Sequence, residues 1–229
     1  LLRKSICEYL SQSRGFKVDA EQVVISSGTE YLFYIIFKLF NNKIYGLENP
    51  CHKMFKELFL TNNISFKAIS LDENGIVIDD LKKNNVNIAY VTPSHQFPTG
   101  AIMSISRRTE LLNWANENPD RYIVEDDYDS EFKYTGRPIP ALKANDINDK
   151  VIYLGSFSKS ISPAIRVSYL VLHKALLNIY QRELPYFICP VPTLNQKILY
   201  RFIKDGYFVK HINKMRTLYK KKREFLVNT

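Results

Sequence analysis

The chain is poor in cysteine. Its 229 residues include only Cys7, Cys51 and Cys189, far apart, odd in number and without a CxxC pair. This excludes a disulfide framework and a cysteine zinc site, and it fits a reducing compartment, the cytoplasm. The four histidines show no HExxH or other ligand spacing, so no metal centre is expected. No signal peptide is visible. The longest apolar stretch, residues 31–40, is short and carries Lys38, which excludes a membrane span. Repeats and low-complexity tracts are missing. Acidic residues are outnumbered 23 to 32, for a net charge of +9. The basic residues are spread along the chain, and only Lys220-Lys221-Lys222-Arg223 is dense. That run reads as a solvated helix face, with a nucleic-acid contact as the alternative.

Apolar residues are plentiful. They make up 45% of the chain, with 15 Tyr and 14 Phe, enough for one substantial core in one large domain or two small ones. Short apolar runs at 23–25, 43–47, 64–69, 87–91, 122–124, 151–154 and 167–172 read as strands. Helical spacing occupies 1–14, 31–40, 54–60, 106–115, 173–184, 193–204 and 207 onward. Ser106 is the expected cap of the fourth helix. Alternating β and α argues for an α/β sheet with helices on both faces and polar loops gathered at its carboxyl edge. The chain opens on Leu1 and stops inside a charged helical stretch, so it reads as a piece of a longer polypeptide.

Three loops carry candidate chemistry. After 151–154 comes Ser156-Phe157-Ser158-Lys159-Ser160, and Arg166 lies seven residues past Lys159. A lysine amine condenses with an aldehyde, and an arginine among serine hydroxyls holds a phosphate, so a phosphorylated aldehyde would use both. Lys159 also reads as an ordinary solvated lysine. Ser26-Ser27-Gly28-Thr29-Glu30 joins a strand to an apolar helix. It is either an anion site at the free helix N–H groups or a plain N-cap. Glu125, Asp126, Asp127, Asp129 and Glu131 crowd seven residues after a buried strand. A carboxylate there is costly unless it meets a cation. A solvated acidic loop or a divalent-metal site are the other readings.

The strings SSGTE, ENPCH, TPSHQFPTG, VEDDYDSEF, GRPIPAL and LGSFSKSISPAIR, in this order, resemble the large domain of fold-type I pyridoxal-phosphate enzymes, the aspartate aminotransferase superfamily. They are most similar to the aminotransferase-like domain of MocR-type transcriptional regulators, a GntR subfamily. The resemblance covers nearly the whole chain and implies a three-layer α/β fold with a mostly parallel sheet. It implies pyridoxal 5′-phosphate bound as an internal aldimine on Lys159. Asp126 would pair with the pyridinium nitrogen and Tyr128 with the 3′-oxygen. Arg166, Ser156 and Ser158 would form the phosphate cup, with Gly28 and Thr29 from the other side. His52 stands where an aromatic ring usually stacks on the cofactor; a surface loop histidine is the alternative. Phe97 replaces the asparagine of NPTG, leaving His95 or Gln96 to reach the ring.

Two functions follow from the resemblance. One is a sensor domain, in which an amine or amino-acid effector exchanges with Lys159 and a winged helix-turn-helix preceding Leu1 answers on DNA. The other is a class I/II aminotransferase, with Lys159 shuttling a proton. The arginine that usually anchors the substrate carboxylate lies in a C-terminal small domain, further past the lysine than this chain reaches, which favours the sensor. Such proteins usually pair as homodimers.

Overall fold

The computed structural model describes residues 1–133 and 139–227. Gly136, Arg137 and Pro138 of the GRPIPAL string lie outside the described residues. In chain order the elements are α1 (Leu2–Ser13), β1 (Val23–Ser26), α2 (Thr29–Leu39), β2 (Tyr45–Asn49), α3 (Lys53–Thr61), β3 (Phe66–Asp72), β4 (Gly75–Ile76) and α4 (Ile78–Lys83). Then come β5 (Ile88–Val91), α5 (Ile105–Asn116), β6 (Tyr122–Asp127), β7 (Val151–Ser156), β8 (Ser168–Val171), α6 (Lys174–Glu183), α7 (Thr193–Lys204) and α8 (Tyr207–Val227).

The strands form one sheet in the order β1-β8-β7-β6-β5-β2-β3-β4. Neighbours among β3, β2, β5, β6 and β7 run parallel, as expected. Every residue of β1, β5 and β8 is buried. Continuous apolar runs of this kind suit strands covered on both faces. The covers are separate clusters. Leu32, Phe33 and Ile36 of α2 pack with α3 and α6 residues on one face. On the other, α1, α7 and α8 supply Ile6, Leu10, Leu199 and Phe208, while Trp114 and Leu111 of α5 cover the rest with Leu81 of α4. This is the expected three-layer arrangement.

Several local expectations change. β4 and α4 had no counterpart in the sequence reading; a two-residue strand and a six-residue helix are too short for periodicity to reveal. α5 is capped by Ser104, whose hydroxyl accepts from the Arg107 N–H at 3.2 Å. Ser106 instead lies in the first turn. β6 does not stop at Val124 but runs through three acidic residues to Asp127. Hydrogen-bonded neighbours on both sides, β5 and β7, hold that backbone extended whatever its side chains.

β8 runs antiparallel to both β7 and β1. Its apolar run looks the same in either direction, so pattern alone could not orient it. The consequence is central to the site. Ser26 and Ser156 both register with Ser168, so the exits of β1 and β7 and the entry to β8 share one edge. Gly28, Ser158, Lys159 and Arg166 all sit just beyond that row.

Gly155 in β7 is packed directly against Tyr169, and a Cβ there would come within 2.4 Å of the ring. Tyr169 is 3% exposed and its ring contacts Phe157 and Tyr153, so it has little room to yield. Gly155→Ala is expected to lower the unfolding free energy by about 1–3 kcal/mol in denaturant titration. An unchanged midpoint would contradict the packing at the centre of the sheet.

Candidate cofactor pocket

At the carboxyl edge lies a cavity of about 290 Å³. It is lined by Lys159, Asp126, Tyr128, Arg166, Ser156 and Ser158, together with Thr29 and His52. Gly28 supports it from behind Arg166. The sheet therefore gathers most of the residues singled out from sequence into one place, with Gly28 adjoining through Arg166.

Lys159 sits in the turn after β7 and is exposed. Among the described residues its Nζ has no hydrogen bond or ion pair. Its neighbour Ser156 is half-buried, and its Oγ accepts from the Ser158 N–H and the Ser168 hydroxyl, each at 3.2 Å. Arg166 stands at the entry to β8 in the left-handed region, φ +48°. Its Nη2 meets Glu30 Oε2 at 2.9 Å. Gly28, φ +87°, caps α2, and a Cβ there would lie 2.1 Å from the same Nη2. Only glycine combines that backbone angle with that approach. An arginine and the free N–H groups of an eleven-residue helix thus converge on one end of the cavity.

Asp126 supplies the buried end. It is 3% exposed. Oδ2 accepts the Tyr90 hydroxyl at 2.7 Å, and Oδ1 is buried with no partner. Burial pushes this carboxyl up to about 7, against the opposing pull of the Tyr90 hydrogen bond. Tyr128, two residues on, lines the same cavity, and burial with nearby carboxylates raises its phenol.

The acidic segment is neither a solvated loop nor a set of cation-paired groups throughout. Along β6 the side chains alternate between faces. Asp127 meets Arg14 of the α1 exit at 2.6 Å and also accepts from Tyr153. Glu125 accepts from the N–H groups of Leu142 and Lys143 at 2.7 and 2.9 Å. Glu131 accepts the Tyr9 hydroxyl at 2.7 Å. Burial lifts both glutamates to about 7. Asp126 points the other way, into the cavity.

His52 is exposed, yet its ring lines the cavity. Nδ1 accepts the Met54 N–H at 3.1 Å and so caps α3. The ring lies 4.9 Å from that of Phe97, tilted by 41°. Phe97 itself is a wall. Neither His95 nor Gln96 lines this cavity. His95 is tied to Asp129 at 2.9 Å, and the Gln96 amide is spent on Pro50, Phe97 and Thr99.

Tyr90, Glu48 and Thr92 also line the cavity and were missed in the sequence. Tyr90 looked like a core aromatic within an apolar strand. Glu48 is 2% exposed and, among the described residues, has no cation; its bonds there, from the Thr92 hydroxyl and N–H and from Gln96, converge on Oε2. Burial pushes it up to about 7.

The whole chain, residues 1–229, matches the family described as aminotransferase class I and II. The chain belongs to that family. Among curated relatives this aminotransferase-family chain is 44% identical to an uncharacterised HTH-type transcriptional regulator, YdeL, of Bacillus subtilis, over 99% of this chain and 49% of the relative. It is 32% identical to a probable rhizopine catabolism regulatory protein, MocR, of Rhizobium meliloti, over 99% and 46%. The chain thus spans about half the length of these relatives. Among solved structures it resembles a Pyrococcus horikoshii kynurenine aminotransferase in complex with PMP, with a TM-score of 0.88 and 29% identity, over 99% of this chain and 58% of that one. Family membership supports pyridoxal phosphate as the cofactor. The pocket fits it, with an unpartnered buried acceptor for a ring N–H, an unengaged amine for an aldehyde, and an arginine beside a helix N-terminus for a phosphate. No helix among the described residues is long and apolar enough to cross a membrane.

Glu48 yields a pH-dependent expectation. Its folded value of about 7 exceeds the ordinary carboxylate value, so the folded state keeps a proton that the unfolded chain has lost. The stability from this group falls as pH rises through that window, and above it the full cost of a buried charge is carried. Ligand-free Glu48→Gln should therefore gain on the unsubstituted protein by about 2–3 kcal/mol between pH 4.5 and pH 8 in denaturant titrations. A stability difference independent of pH would contradict a buried, unpaired Glu48.

Proposed function

We propose that this chain is the large-domain portion of an aminotransferase-like, pyridoxal-phosphate-binding sensor in a MocR-type transcriptional regulator. Bound in the pocket, the cofactor supplies an aldehyde that exchanges amines and a ring that withdraws electrons. Lys159 is the residue that would hold the aldehyde carbon, and its unengaged amine at the pocket edge is the observation that carries the reading. Asp126 would accept from the ring nitrogen and Tyr128 would hold the phenolic oxygen. Arg166, Ser156, Ser158, Gly28 and Thr29 would hold the phosphate, and His52 would lie against the ring. Lys159 would give up its place to an amine or amino-acid effector, and its side chain would then be free to move. In the whole, cytoplasmic protein, a second copy of the chain and a helix-turn-helix domain would turn that movement into a changed grip on DNA. The HTH-type transcriptional regulator YdeL and the regulatory protein MocR, each matching 99% of this chain, support this reading.

The likeness to a kynurenine aminotransferase favours a second reading, a working aminotransferase. Single-turnover spectra of the full-length protein with amino acids separate the two. The sensor exchanges amines with little conversion to the pyridoxamine form, and brisk conversion would overturn it. The lysine is tested by borohydride trapping. The intact protein is expected to carry the reduced cofactor as a mass increment on the peptide containing Lys159, and Lys159→Ala to carry none. An adduct retained by Lys159→Ala would refute the assignment.

A further inference from the structure

Among the described residues, Asp126 is held by a single donor. Tyr90 stands on β5 in register with Val124 of β6, two residues before Asp126 and on the same face of the strand. Its hydroxyl therefore reaches along β6 to Oδ2, at 2.7 Å. The tyrosine is 1% exposed, and its ring is gripped by Phe33 at 5.2 Å and Phe55 at 4.9 Å between centroids. A phenol so buried stays protonated, since burial and the neighbouring carboxylate both raise it. It is thus a permanent donor on a fixed arm.

We propose that Tyr90 is the positioning residue for the carboxylate at the buried end of the pocket. Its hydroxyl occupies Oδ2 and fixes the rotamer, favouring the charged form against the cost of burial, so that Oδ1 faces the cavity as the acceptor for a cationic N–H on an aromatic heterocycle. This rests on the reading of Asp126 given above.

The surroundings make that donor necessary. Glu48 faces Asp126 from the end of β2, Asp127 and Tyr128 adjoin it in sequence, and Asp129 lies beyond. Glu48, Asp127 and Asp129 all work against its ionisation. Lys159, Arg166 and His52 line the same cavity, but none makes an ion pair or hydrogen bond with Asp126 among the described contacts. Among the described residues, Tyr90 is the hydrogen-bond donor that favours the charged form. It does so without adding a cation that would compete with the ligand for Oδ1.

The experiment uses Tyr90→Phe, which keeps the ring and removes only the hydroxyl, in the full-length protein. Carboxyl-¹³C titration of the ligand-free protein follows Asp126 directly, its signal assigned by its loss in Asp126→Asn. The Asp126 midpoint is expected to move up by about one pH unit or more in Tyr90→Phe. Pyridoxal phosphate affinity at neutral pH should fall by about tenfold, with most of the loss recovered at higher pH, where Asp126 ionises again. An unmoved midpoint, or an affinity loss equal at every pH, would reduce Tyr90 to packing and overturn the proposal. A moved midpoint with unchanged affinity would overturn it as well. If the midpoint moves but the unsubstituted protein binds no pyridoxal phosphate, the cofactor reading fails and the hold of Tyr90 on Asp126 stands.

Discussion

A buried carboxylate with one oxygen unpartnered is the constraint on which the pocket depends. Asp126 lies at the end of a central strand, 3% exposed, with no cation against it among the described residues. Folding alone gives no return for placing it there, because desolvating an acid without pairing it costs several kcal/mol or forces it to take up a proton. Its neighbour Asp127 shows the usual solution, an ion pair with Arg14. The two adjacent aspartates point to opposite faces of β6. One closes the joint between α1 and the sheet, and the other lines the cavity with an oxygen unpartnered. An underpaired acid whose free oxygen faces a cavity is where binding is to be sought.

The opposite end of the cavity is assembled by topology. Parallel strands alone would deliver their loops to one edge, but Arg166 precedes its strand. It reaches that edge only because β8 runs back between β1 and β7. The row Ser26, Ser168 and Ser156 then sets Gly28 under the guanidinium and Ser158 beside it. Arg166 with its ion-pair partner Glu30, a helix N-terminus and small hydroxyl residues meet there, while Glu48 and Asp126 lie at the buried end. The pocket is therefore polar in a fixed sense, ready for a ligand that is cationic at one end and anionic at the other.

Much of this was legible in the residues, and the limits have physical causes. Lys159, Arg166, Gly28, Asp126 and Tyr128 are read from short strings because each string sits where a strand meets a loop, and apolar runs mark those points well. The layers follow from the alternation of β and α. The direction of β8 does not, since an apolar run carries no arrow. Tyr90 and Glu48 escaped because their roles arise from contacts between strands distant in sequence; one resembles core and the other a loop acid. In the acidic segment a cation was expected to meet the buried carboxylates, with a solvated loop as an alternative; pairing on both edges of β6 carries Glu125, Asp126 and Asp127 into the sheet, where Asp127 meets Arg14 and Glu125 meets backbone N–H groups instead. The substitution of Phe97 for an amide was visible, but the expectation that His95 or Gln96 would compensate failed. Both are committed to neighbouring groups, and an aromatic wall stands in place of a polar contact.

The central claim is that Asp126 awaits a ring N–H. It is tested most directly by ¹⁵N resonance of pyridoxal phosphate labelled at its ring nitrogen and bound to the full-length protein. The expected result is a protonated nitrogen well above the pH at which the free cofactor loses that proton, reverting to the unprotonated shift in Asp126→Asn. A nitrogen that is unprotonated in the intact protein, or a shift indifferent to Asp126→Asn, would contradict it.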